Sequence, residues 1–146
     1  MKNYAIALAA GCLVLVSNDC RAQRLHAEDV PSALEETFTV MYPDFQLLFW
    51  EKQGDNYSAT FKSGKARGSM LFDYNANLLE TESEIPVEDL PKAVSAAAQK
   101  QLQEQKIVGA GKIVDSHDRT IFKVKSDTTG FVVDRQGNIL RKYKID

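Results

Sequence analysis

Phe72-Asp73-Tyr74-Asn75-Ala76-Asn77-Leu78-Leu79 and Val133-Asp134-Arg135-Gln136-Gly137-Asn138-Ile139-Leu140 are two versions of one motif, 61 residues apart. Each reads as a strand, a turn centred on Asn75 or Gly137, and a second strand, because Asn and Gly tolerate the positive φ of a tight hairpin turn. A second matched pair, Val30-Pro31-Ser32-Ala33-Leu34 and Leu90-Pro91-Lys92-Ala93-Val94, lies 60 residues apart. It reads as a helix start, with proline at the first helical position, where a missing N–H costs nothing. Two matched blocks in the same order at nearly the same offset read as an internal repeat.

Working outward, Asp29 is the expected N-cap of a first helix. Its apolar stripe is Ala33, Leu34, Thr37, Phe38 and Met41, and Pro43 ends it. Strands are expected over Phe45–Lys52, Tyr57–Lys62, Arg67–Tyr74 and Leu78–Ile85, separated by Gly-, Asn- and Asp-rich breaks. A second helix starts at Glu88 or Asp89 and runs to about Gln105. The strands Ile107–Asp115, Arg119–Ser126, Thr129–Asp134 and Asn138–Ile145 follow it. The predicted fold is α+β: a tandem repeat of two helix-plus-four-strand units, 30–86 and 87–146, forming an antiparallel meander sheet. The helices pack on one face and the other face is at least partly open to solvent.

The chain of 146 residues opens with Lys2 and an apolar run, Tyr4 to Val16. That run suits the h-region of a secretory signal and is short for a membrane span. Residues 1–22 are therefore expected to be a signal peptide cut after Ala22, with Ala27 as a later site, and 23–29 a flexible lead-in to a domain over 30–146. Cys12 and Cys20 fall in the signal. Lipid anchoring through Cys20 is disfavoured by the preceding Ser17-Asn18-Asp19. The expected location is the periplasm or outside the cell, and the working chain carries no thiol for a disulfide or a thiolate metal site.

An export signal, V-P-x-A-[LV] opening a helix, Tyr42-Pro43 and Trp50-Glu51-Lys52 on a strand together resemble the PepSY-like family of bacterial secreted proteins. Tyr57-Ser58-Ala59-Thr60-Phe61, Phe72-Asp73, Glu80-Thr81-Glu82 and Ile85-Pro86 continue the likeness. It spans the chain after the signal and is looser in the second half, where Lys112-Ile113 stands in place of Trp-Glu. The resemblance implies a fold like that of the β-lactamase-inhibitor proteins (BLIP-like), built of tandem helix-plus-four-strand units. It also implies a periplasmic role, which for some members is suggested to be calcium-regulated. It implies no reaction.

Catalytic chemistry finds no support, and no cofactor is expected. There is no G-x-S-x-G, no Walker loop and no dinucleotide fingerprint. His26 and His117 stand far apart with no cysteine to complete a zinc set. A formal net charge of −2 excludes a general affinity for nucleic acid. That total is the sum of two unlike halves: 23–89 holds 13 acidic and 5 basic residues, and 90–146 holds 6 and 11. Opposite signs favour attraction between the halves, including association of copies into a homo-oligomer. The candidate binding surface joins the aromatics Trp50, Tyr57, Phe61 and Tyr74 to Glu80, Glu82 and Glu84. Alternation places the three glutamates on one strand face, spanning about 13 Å, too far for one cation without other ligands. The expected function is a non-enzymatic module that binds or inhibits an envelope or secreted protein or peptide through its open sheet face. The alternative is a calcium- or small-ligand-responsive protein using those glutamates.

Overall fold

The computed structural model describes residues 23–145; the expected signal peptide 1–22, with Cys12 and Cys20, lies outside them. Nine strands run in chain order: β1 Gln23–Arg24, β2 Gln46–Gln53, β3 Asn56–Ser63, β4 Ala66–Phe72, β5 Leu78–Ile85, β6 Gly109–Asp115, β7 Thr120–Lys125, β8 Thr129–Asp134 and β9 Ile139–Lys144. They form one antiparallel sheet in which every neighbour in sequence is a neighbour in space. Helix α1 spans Ser32–Met41 and α2 spans Lys92–Leu102, each preceded by a short 3-10 turn.

This corrects the expected tandem repeat of two helix-plus-four-strand units. The sheet does not break between the proposed units. β5 pairs with β6 from Glu80↔Asp115 to Ile85↔Ala110, as fully as the β6–β7 hairpin does. The physical reason is that two separate four-stranded sheets would leave the backbone donors and acceptors of β5 and β6 unpaired along both edges, and one continuous ladder satisfies them. The matched sequence blocks specify local turns and helix starts, and neither specifies where a sheet ends. Residues 23–29, expected to be flexible, supply β1, which pairs with Glu51 and Lys52 at the edge of β2.

Both helices begin after a proline, with Pro31 and Pro91 at the N-caps and no side-chain cap bond. Asp29, expected to be the cap, lies instead in the 3-10 turn Ala27–Asp29. Helix α2 ends three residues before the expected Gln105. Gln103 adopts φ 55°, and Gln99 Nε2 donates to the carbonyls of Gln103 and Gln105 at 2.9 and 3.0 Å, closing the helix end.

The helices cover one face of the sheet at its two ends and build two apolar cores. Under α1, Leu34 and Phe38 meet Trp50, Ala59, Phe61, Met70 and Phe72. Under α2, Val94, Ala98 and Leu102 meet Phe122, Val124, Phe131 and Val133. β5 contributes no fully buried residue to either core; its ends, Leu78 and Ile85, pack half-buried against the first and second core respectively.

Candidate functional site

Strand pairing settles which side chains face away from the helices. Ser58, Leu71, Glu80 and Asp115 follow one another across β3 to β6; Ser69, Glu82, Ile113 and Ile121 cross from β4 to β7. Val132 and Arg141 continue this face on β8 and β9. No helix covers it, yet Ser58, Val132 and Ile113 are only 4%, 6% and 7% exposed. Sheet curl is the cause. Gln53 of β2 and Arg141 of β9 line one depression of about 490 Å³, although six strands lie between them in order. Apolar Leu71, Ile113, Ile121, Val132 and Leu140 line it together with polar Ser58, Ser69, Glu80, Glu82 and Lys123, and Ser58, Val132 and Ile113 are its deepest members.

The carboxylates of β5 have three different environments. Glu82 pairs with Lys123 of β7, reaching across β6 at Gly111, which has no side chain to block it. Both partners are half-buried. Glu84 is exposed. Glu80 is half-buried opposite Asp115 in the ladder and makes no ion pair among the described residues. Tyr143 of β9 lies against Gly130 of β8, and Arg141 stands over its ring at 5.7 Å. Burial raises the Tyr143 phenol above its ordinary pKa; the Glu82 charge adds to the rise and Arg141 opposes it.

Three hairpin turns at one end of the sheet share a design. Asp73 Oδ1 accepts the N–H groups of Asn75 and Asn77, and its Oδ2 accepts Asn77 Nδ2. Asp134 does the same with Gln136 and Asn138. Asp115 accepts the N–H groups of His117 and Arg119, and Arg119 Nε reaches its Oδ2 at 2.7 Å. Side-chain donation from Asn77 and from Asn138 is the main force lowering the pKa of Asp73 and Asp134. At Asp115 desolvation pushes upward, and the donors from Arg119 and His117 outweigh it. His117 therefore serves a turn, and among the described residues no group of three His, Cys, Asp or Glu side chains gathers as a metal site.

The expected binding surface divides. Trp50, Tyr57 and Phe61 lie in the core beneath α1, at 4%, 7% and 5% exposure. They cannot meet a partner, which corrects their assignment to the surface. The reason is register: Trp50↔Ala59 and Lys52↔Tyr57 put these aromatics on the helix-covered face, away from Glu80, Glu82 and Glu84. Trp50 packs edge-on against Phe38 with ring centroids 6.2 Å apart, and its buried Nε1 finds no acceptor among the described residues, so packing alone holds it. Tyr74 is exposed in a turn, apart from both groups. The open-face residues that reading by motif missed are Ile113, Ile121, Leu140 and Tyr143. Alternation along β6 and β7 gave a signal for the two isoleucines, and the facing strands gave none until register was known.

No protein-family model matches the chain, and no curated protein matches it. Solved structures do. A Bacteroides eggerthii protein described as periplasmic superposes with TM-score 0.70 at 15% identity, over 80% of this chain and 89% of that one. A DUF2874 family protein of Bacteroides uniformis gives TM-score 0.68 at 17% identity, over 79% and 89%. A BLIP-like protein of Bacteroides fragilis gives 0.61 at 22% identity, over 79% and 86%. The fold is BLIP-like. At these identities the likeness is one of architecture, so the chemistry of the BLIP-like sheet must be argued from its own residues. No helix among the described residues is long and apolar enough to cross a membrane.

Proposed function

We propose that this chain is an exported, non-enzymatic binding protein that holds or inhibits an envelope or secreted protein, or a segment of one, on the open face of its BLIP-like sheet. The observation that carries this reading is the depression itself, with apolar and polar side chains interleaved on a preformed, curled face that no helix covers. Export is supported by the apolar leader Tyr4 to Val16 and by the description of a structural neighbour as periplasmic. The PepSY-like sequence features agree with such a role. Glu82 is already neutralised by Lys123, and the three glutamates lie spread along β5, so a calcium-responsive site gains no support from the geometry.

Site-specific photo-crosslinking in the native envelope tests this reading. A crosslinker replacing Leu140, 55% exposed on the open face, should capture a defined protein, and one replacing Val40, 69% exposed on α1, should not. Equal capture from both positions, or none from Leu140, would overturn it.

A further inference from the structure

We infer that the end of the open face beside the β6–β7 turn is a subsite for a cationic side chain, a lysine or arginine presented by the bound segment. This rests on the reading of the open face as the binding surface and assigns the chemistry of one part of it. A depression of about 310 Å³ is lined there by Glu80, Ile113, Asp115, Arg119, Ile121 and Leu140. The lining combines what a long cationic side chain needs: an apolar wall for its methylene stem and a carboxylate for its head.

The charge on the face selects Glu80. Glu82 and Lys123 neutralise each other, and Glu84 lies outside this depression. Asp115 already accepts the N–H groups of His117 and Arg119 and is ion-paired with Arg119 Nε. Arg119 lines the same depression, but its Nε is committed to Asp115 and its side chain is 77% exposed. Glu80 is thus the one carboxylate lining this depression with no ion-pair partner among the described residues, and a guest cation finds its acceptor there. The curl of the sheet argues for a protruding segment as the guest. Two copies meeting concave face to concave face would leave a void between their floors.

The subsite can be read without any partner protein, using N-acetyl-arginine amide and its neutral isostere N-acetyl-citrulline amide as probes. Amide signals of Ile113, Ile121 and Leu140 in the isotopically labelled protein should shift with the arginine probe, and the citrulline probe should bind about tenfold more weakly. Glu80→Gln should lose about tenfold in affinity for the arginine probe, whereas Glu84→Gln, on the same strand with the same change in charge, should lose none. Leu140→Ser is a second variant, removing part of the stem wall from an exposed position, and it should also weaken the probe. Equal binding of both probes, no response to either, or an equal loss in Glu80→Gln and Glu84→Gln would overturn the subsite. Those results would leave crosslinking from Leu140 unaffected, so failure of the subsite is distinguishable from failure of the binding face.

Discussion

At the level of single residues, the aspartate turns show how much a few polar atoms determine. Asp73, Asp115 and Asp134 each hold a hairpin by accepting two backbone N–H groups and one side-chain donor. Each carboxyl has its pKa lowered in the fold. A lowered pKa means that the folded state favours the ionised form. The stabilisation is present above the unfolded value, about 3.9, and is lost as pH falls through the lower folded values. Thermal melts should therefore be flat near neutrality and fall in acid below about pH 4, and replacing all three aspartates with asparagine should flatten that acid limb. The turns differ at one position. Gly137 adopts φ 92°, and a Cβ there would lie 2.7 Å from the Ala93 carbonyl oxygen of α2. Its counterpart Ala76 adopts φ 63° with its methyl group in place. Gly137→Ala should cost about 1–3 kcal/mol, and Ala76→Gly should be neutral or stabilise by up to about 1 kcal/mol, both read by denaturant unfolding. The sequence pattern pointed to Asn75 as the centre of the first turn. The αL residue is one further along, because the Asp73 side chain draws in the N–H groups of residues 75 and 77 together.

Among the elements, β8 and β9 form the pair on which the open face depends. A Cβ at Gly130 would overlap the Tyr143 ring, so the glycine lets Tyr143 lie against β8. Gly130→Ala should displace that ring. The expected result is a Tyr143 pKa falling back toward its ordinary value, since burial, the main cause of its rise, is lost; NMR titration of the tyrosine ring carbons reads this directly. The strands themselves were legible in sequence to within a few residues, because alternation and turn chemistry are local. The face each strand presents was not. Irregularities in register between Leu47 and Phe49, Leu71 and Phe72, and Val132 and Val133 shift the alternation within or beside a strand. A bulge of one residue moves every later side chain to the opposite face. That is why Trp50, which looked like a surface aromatic, is a core residue.

For the whole molecule, charge and curvature matter together. The acidic and basic halves meet at the β5–β6 seam, where Glu82 and Lys123 join them inside one sheet. Charge left over on the two halves should drive weak association between copies at low ionic strength. The apparent mass from light scattering should fall as salt is raised toward 0.15 M, where screening acts over about 8 Å. A strict monomer at low salt would remove the homo-oligomer and leave the charge complement internal. The sequence by itself determined eight of the nine strands, the approximate helix starts, the turns and the unequal division of charge, because each depends on residues a few positions apart. Only the tertiary structure decided that β5 and β6 pair without a break between the repeats, that β1 joins the sheet edge, and that the open face curls into a depression. It also separated Trp50, Tyr57 and Phe61 from Glu80, Glu82 and Glu84. Those outcomes depend on pairing between strands distant in sequence, where unsatisfied backbone groups and one-residue shifts in register outweigh any local preference.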